Sequence, residues 1–272
     1  MVTINTNYAA AFASNAAKQT TARIDSAMEK LSTGSRINYA RDDAAGQAIS
    51  TRLSAEIQGL SAASRNASDA QSMIDTADGA LQETQNVLLR MRELAVQSAN
   101  GTLTDADRDH TDAEFQQLAA ELTRISDNTT FAGTELLDGT VSSLSFQIGE
   151  GASQTISVSI ADMDATGLSL STNDLQDAAN SQTAITAIDA AIDTVATQRG
   201  TLGAVSNRLS STVANLDQIN VNLSSSKGRI QDADFAAETG NLAKGQILQQ
   251  AATAMVAQAN ASKSTVMTLL QS

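Results

Sequence analysis

Apolar side chains recur along this chain at the alternating three- and four-residue spacing of a helix packed along one face. Leu60, Ala63, Ala67, Ala70, Ile74, Ala77, Leu81, Thr84, Leu88, Met91 and Ala95 keep that spacing without a slip, as the seam of a left-handed coiled coil does. Thr84 is its one polar member. The spacing predicts a helix from about Asp43 to Ala99, roughly 85 Å long at about 1.5 Å per residue. Asn100-Gly101 then marks a turn. The many Ala residues of the seam predict closely spaced helix axes.

A second helix is predicted to start near Thr104, whose hydroxyl caps the first turn while Asp107 takes the reciprocal capping position. Its apolar face is Phe115, Leu118, Leu122 and Ile125. A third stripe runs through Ile185, Ile188, Ile192, Val195, Leu202, Val205, Leu209, Val213, Leu216, Ile219 and Leu223, interrupted once by Arg199. Residues 1–128 and 174–272 thus read as helix, and only about 129–173 reads otherwise. There Leu144, Phe146 and Ile148 alternate with polar residues, as do Ile156, Val158 and Ile160, with Gly149-Glu150-Gly151 between the two runs. This pattern predicts a β-hairpin with one buried face at about 140–162. The expected fold class is mainly α: a long antiparallel coiled-coil or helical-bundle rod from both termini, with a small β-hairpin region in the middle.

The ends carry sparser stripes. Residues 1–31 offer Ile4, Tyr8, Phe12, Ile24, Met28 and Leu31; residues 230–270 offer Ile230, Phe235, Leu242, Ile247, Leu248, Met255, Val256, Val266, Leu269 and Leu270. Neither end has enough apolar surface to hold a helix by itself. The expectation is that they gain order by packing against other copies. The expected organisation is a terminal coiled-coil domain with its linker from residues 1–42 and 227–272, and a helical domain with the hairpin over 43–226. No large outer domain is expected.

Composition narrows the chemistry. The 272 residues include no Pro, Cys or Trp, and 3% are aromatic. Without Pro nothing breaks a long helix; without Cys there are no disulfides, thiolate nucleophiles or soft metal ligands. Of the net charge of −13, residues 1–41 carry +3 and residues 227–272 carry +1, so an excess of 17 negative charges falls on 42–226. Such an acidic surface argues against nucleic acid, which needs clustered Lys and Arg. No apolar run approaches the ~20 residues that span a bilayer, so no membrane partner is expected. The opening residues do not read as a charged-then-apolar signal peptide, and any export is expected to use a route that ignores such peptides.

Candidate catalytic groups are few. His110, the one His, stands in an acidic helix start. Asp105, Asp107 and Asp109 resemble the start of a calcium loop, but His110 stands where that loop needs Gly and Gln116 where it needs Glu. Acidic residues favouring a helix N-terminus explain the run more simply. No Walker A sequence, G-x-S-x-G elbow or H-E-x-x-H is present. No enzyme activity, cofactor or metal is expected. Arg90 and Arg92, beside Glu93, read as a solvated helix face with local ion pairs worth about a few tenths of a kcal/mol.

Longer motifs carry a resemblance. Leu31-Ser-Thr-Gly-Ser-Arg-Ile-Asn-Tyr-Ala-Arg-Asp-Asp-Ala-Ala-Gly-Gln-Ala-Ile-Ser50, Ser64-Arg-Asn-Ala-Ser-Asp-Ala and Val87-Leu-Leu-Arg-Met-Arg-Glu-Leu-Ala-Val-Gln-Ser-Ala-Asn-Gly101 resemble the N-terminal signature of bacterial flagellin. Leu202-Gly-Ala-Val-Ser-Asn-Arg-Leu, Arg229-Ile-Gln-Asp-Ala-Asp-Phe-Ala-Ala-Glu-Thr, Gln246-Ile-Leu-Gln-Gln-Ala and Ala257-Gln-Ala-Asn resemble its C-terminal signature. The resemblance implies a short flagellin without most of the outer variable domains, a structural subunit that polymerises into the filament used for swimming. Ile4, Phe12, Ile24, Leu31, Ile247, Leu248, Met255, Leu269 and Leu270 are then expected at subunit contacts. It further implies export unfolded by the flagellar type III system and an extracellular location in the filament. The implied partners are other copies, a flagellar secretion chaperone, a filament cap protein and the hook–filament junction protein. Host Toll-like receptor 5 is implied as a further partner, through a recognition surface at Arg90, Leu94 and Glu114. The alternative the resemblance leaves is a hook–filament junction protein of the same architecture.

Overall fold

The computed structural model describes residues 6–271, with side chains through Thr265. Five helices are described: α1 Tyr8–Thr33, α2 Ala44–Ser98, α3 Asp105–Asn128, α4 Ala178–Gln231 and α5 Phe235–Gln271. With no Pro to interrupt them, α2 and α4 run for 55 and 54 residues. Each helix starts behind a side chain that accepts from its first free N–H groups. Asn7 accepts from Ala10, Asp43 from Gly46, Thr104 from Asp107, Asp177 from Asn180, and Asp234 from Ala236 and Ala237. At α3 the reciprocal bond is present too: the Asp107 carboxylate accepts the Thr104 N–H at 3.1 Å. These caps satisfy donors that the helix cannot pair internally. α1 ends at Gly34, whose φ of 70° is the left-handed conformation that closes a helix without a Cβ penalty.

Contacts divide the chain into two compact units, residues 56–221 and residues 1–55 with 222–272. Helices α2 and α4 contribute to both. In the first unit the whole predicted seam from Leu60 to Ala95 is buried, Thr84 included. The Thr84 hydroxyl donates to the Ala80 carbonyl at 3.1 Å, which accounts for a polar group in that position. Side-chain bonds set α4 antiparallel to α2: Asn220 to Ser61, Arg199 to Asp78 and Arg92 to Asp189. Phe115 and Leu122 of α3 complete the same core. The α4 stripe fades toward its end, where Ile219 is exposed.

Between α3 and α4 lie two small antiparallel pairs. Strands β3 Leu144–Gln147 and β4 Thr155–Val158 form the predicted hairpin, with Leu144 opposite Val158 and Phe146 opposite Ile156. Its apolar face joins the helical core through Ile156, Val158 and Ile160. Strands β1 Thr130–Phe131 and β2 Thr134–Glu135 form a second, unpredicted hairpin. Its turn residues Ala132 and Gly133 both have positive φ, 49° and 83°, as the tightest hairpin turn requires. Leu136, Leu137, Met163 and Leu170, from irregular segments, fill the core beside it.

Candidate assembly surface

In the terminal unit α1 and α5 lie antiparallel along each other. The Asn7 amide donates to the Ala259 carbonyl at 3.1 Å, Gln249 donates to the Thr21 hydroxyl at 3.3 Å, and Lys30 meets Glu238 at 3.4 Å. The buried face of α1 is Ala13, Thr20, Ile24 and Ala27. Opposite them stand Gly245, Ala252 and Ala259, each seven residues apart and each buried. Small residues on both sides let the two backbones approach, and Ile24 sits directly against Gly245. That inner seam uses up little of the helices' apolar character.

The remainder faces outward. Phe12 is 81% exposed, and Tyr8, Met28, Phe235, Ile247, Leu248 and Met255 are exposed with it. Of the residues expected at subunit contacts, Phe12, Ile247, Leu248 and Met255 are therefore bare, Leu31 is half-buried, and Ile24 belongs to the inner seam. Ile4 lies outside the described residues, as do the side chains of Leu269 and Leu270. Large apolar side chains left exposed together on this pair of helices mark an interaction surface.

The segment joining α1 to α2 is tied to the segment joining α4 to α5. Ser35 and Asp232 form an antiparallel bridge, the Arg36 N–H donates to the Gln231 carbonyl at 2.6 Å, and the Ala233 N–H donates to the Gly34 carbonyl at 2.9 Å. The Arg36 guanidinium adds a bond to the Ile230 carbonyl at 2.7 Å, and the Ser50 hydroxyl one to the Gln231 amide oxygen at 2.8 Å. Asp42 closes the turn by accepting from Asn38 and Tyr39. The Tyr39 N–H is the main cause of a carboxyl held below its ordinary range. The Arg41 guanidinium stands 4.6 Å from the centre of the Tyr39 ring. None of these pairings has a periodic signal in the sequence.

On the other unit, Arg90 and Glu114 come together from α2 and α3. Both Arg90 Nε and Nη2 donate to one Glu114 carboxylate oxygen, at 3.0 and 2.9 Å, and Nη1 reaches Glu93. The bond to Glu114, then the one to Glu93, raises the Arg90 pKa further above its ordinary value. Leu94, the third residue expected there, is 2% exposed and packs in the core. Leu89 and Val96, by contrast, are exposed on α2. Arg92 pairs with Asp189 of α4 at 2.6 Å. Arg108, which sequence reasoning passed over, is buried in the first turns of α3. Its guanidinium donates to the Ser98 and Asn100 carbonyls at 3.0 and 3.2 Å, covering the open C-terminal end of α2.

His110 is exposed. Among the described residues no three His, Cys, Asp or Glu side chains converge as metal ligands. No described helix is long and apolar enough to cross a membrane. The arrangement is one of packing faces and ion pairs. Family comparison agrees with that picture. Residues 4–142 match the bacterial flagellin N-terminal helical region, and residues 185–270 match the bacterial flagellin C-terminal helical region. The chain belongs to the bacterial flagellin family.

Relatives match over nearly the full length of the chain. Flagellin of Halalkalibacterium halodurans is 45% identical over 247 residues, covering 90% of this chain and 91% of that protein. Flagellin of Bacillus subtilis is 41% identical over 302 residues, covering 98% and 99%. A flagellar filament 33 kDa core protein of Treponema phagedenis is 39% identical over 284 residues, again covering 98% and 99%. Among solved structures, Bacillus cereus flagellin aligns with a TM-score of 0.50 at 35% identity, covering 56% of this chain and 88% of that one. The chain is thus a flagellin-family structural protein, and the shared helical ends include the α1 and α5 faces described above.

Proposed function

We propose that copies of this chain join through α1 and α5 to build a helical flagellar filament, with residues 1–42 and 227–272 as the joining segment. The observation that carries this reading is the set of bare apolar side chains on α1 and α5, above all Phe12, Ile247 and Met255, outside a seam already filled by small residues. Burying them against neighbouring copies supplies the driving force. A head-to-tail contact between identical subunits that does not close yields an open helical polymer. In this reading the chain is exported unfolded by the flagellar type III system. A secretion chaperone escorts it, and a cap protein places it on filaments that begin at the hook–filament junction.

The decisive experiment is seeded elongation followed by electron microscopy. The full chain is expected to extend filament seeds, whereas a version ending at residue 226 leaves them unchanged. A junction protein would not elongate seeds indefinitely, so the same assay separates the two readings. Filaments growing from the truncated chain would refute the assignment of the joining segment.

We also propose that the free subunit is recognised by Toll-like receptor 5 through Arg90 and Glu114. Both side chains are about half exposed and fixed to each other across two helices, which supports a preformed surface. Leu94 then acts from within, seating α2 in the core. A reporter-cell assay is expected to respond to purified monomer and to lose that response in Arg90→Ala. Equal responses to the two proteins would overturn this part.

A further inference from the structure

Of the seven methionines, the five with described side chains divide sharply by exposure. Met73, Met91 and Met163 are 2%, 0% and 1% exposed, whereas Met28 and Met255 are 55% and 61% exposed. The three protected residues all belong to the unit of residues 56–221, and the two bare ones to the terminal unit. The chain has no Cys, so no thiol competes for an oxidant. Met28 borders the buried stripe of α1 beside Ala27, and Met255 lies seven residues from Leu248, on the same face of α5. Both thioethers therefore sit on the helices that the proposed function uses for joining.

We infer that Met28 and Met255 are reversible oxidation sites through which a peroxide-class oxidant blocks the joining of free subunits. This inference rests on the assembly reading above and adds a mode of regulation to the same surface. In the forward step a sulfur lone pair attacks one peroxide oxygen. The O–O bond breaks, an S–O bond forms, sulfur loses two electrons and water leaves. In the reverse step a dithiol reductant is oxidised to its disulfide as the sulfoxide oxygen departs as water. The thioether is apolar and soft, suited to burial against a neighbour. The sulfoxide is polar and hydrogen-bonded to water, so a neighbouring subunit has to strip that water to cover it. Neither side chain fills the core, so oxidation leaves the isolated subunit folded. Once inside a polymer the same residues are shielded, which confines the effect to subunits not yet joined.

The test treats the full-length monomer and the variant M28L/M255L with hydrogen peroxide, then measures three things. These are oxidation at each methionine by peptide mass spectrometry, far-UV circular dichroism, and the critical concentration for seeded elongation. Leu is close to Met in volume and cannot be oxidised. Expected results are oxidation of Met28 and Met255 at least about tenfold faster than of the three buried residues, with unchanged helicity. The critical concentration of the oxidised wild type is expected to rise by on the order of tenfold, and to return after methionine sulfoxide reductase with dithiothreitol. Peroxide should leave the variant's critical concentration unchanged relative to that variant's own untreated value, whatever the substitutions themselves do to joining. Elongation of fully oxidised wild type at the untreated rate overturns the inference and leaves the assembly reading standing. Loss of elongation by the peroxide-treated variant also overturns it, since the sensitivity then resides at other methionines. Failure of untreated wild type to extend seeds sinks the assembly reading itself.

Discussion

A Cβ atom placed on Gly245 would stand 2.7 Å from Ile24 Cγ1, so α1 and α5 meet where only a glycine fits. Gly245→Val is therefore expected to force the two helices apart, at a cost of about 1–3 kcal/mol. Hydrogen exchange would register this as lost protection in α1 and α5, while the unit of residues 56–221 keeps its own. Gly240, on the same helix, meets nothing within 4 Å of such a Cβ. Gly240→Ala should strengthen α5 by about 0.5–1 kcal/mol through helix propensity alone. If both variants lose protection equally, the Gly245–Ile24 contact is not what limits their approach.

Arg199 interrupts the α4 stripe with a charge that the structure pairs across to α2. Its Nε and Nη2 donate to the Asp78 carboxylate at 2.7 and 3.3 Å, and Nη1 donates to the Gln85 amide oxygen at 2.8 Å. The bond to Asp78 raises the guanidinium's pKa further, against a smaller opposing effect of burial. Asp78 remains partly open to water, which screens the pair. Asp78→Ala is expected to cost about 1 kcal/mol or less in a urea melt, with an unchanged slope. Arg199→Leu, which continues the stripe between Val195 and Leu202, should be neutral or stabilising. A larger loss for Arg199→Leu than for Asp78→Ala would count against this account.

The elements legible in the sequence are those whose signal repeats. The α2 seam is legible because its members, from Leu60 to Ala95, recur on one face of the helix and every one of them is buried. The capping box at Thr104 and Asp107 was readable because it depends on two residues three apart. One inference from that seam failed. Its alanines predict close helix axes, yet it is α1 and α5 whose Cα atoms approach within 8 Å along their length, while α2, α3 and α4 do not approach one another so extensively. Leu81, Leu88, Met91 and Phe115, all fully buried, act as spacers among the smaller residues. Leu94 is expected on a recognition surface through the family resemblance alone, and a matched linear motif does not say which side of the helix is covered. The β1–β2 hairpin lacked an Asn-Gly or Asp-Gly signal, and the pairing of residues 34–36 with 231–233 joins segments far apart in the chain.

Arg108 shows the same limit in one side chain. Amid Asp105, Asp107 and Asp109 it carries no signal of its own, but its side chain is 9% exposed and its guanidinium is turned back onto the end of α2. Arg108→Ala leaves the Ser98 and Asn100 carbonyls without those donors, an expected loss of about 1–3 kcal/mol. Arg108→Lys restores one charge but not the planar fork, and should recover only part of the stability. Thermal melts of the three proteins check the order. A lysine variant as stable as wild type would mean that charge, not geometry, holds the turn.

The start of α3 should respond to acid. The Thr104 hydroxyl, then the Thr104 N–H, holds the Asp107 carboxyl below its ordinary value of 3.8. A depressed carboxylate contributes fully above the ordinary range, and that contribution is lost as pH falls through the depressed value. As far as Asp107 is concerned, fraying of the first α3 turn is therefore expected only below the usual carboxylate range. Carboxyl carbon NMR of Asp107 gives the titration directly, and Thr104→Val should move its midpoint upward. An unmoved midpoint would remove the capping box as the cause.

The assembly reading makes its sharpest prediction where stability and joining separate. Phe12 and Ile247 are bare in the single subunit, so neither contributes to its folding, whereas Ile24 is buried between α1 and α5. Phe12→Asp or Ile247→Asp should leave the circular dichroism and melting of the subunit unchanged. Either should nevertheless stop seeded elongation, because a carboxylate carried into an apolar contact lacks a partner. Ile24→Asp puts the charge inside the helix pair and should lose both the α1–α5 contact and elongation together. The two outward substitutions thus report on contact between copies and the inward one on contact within a copy. If the outward variants elongate like wild type, the bare side chains of α1 and α5 serve some end other than joining subunits.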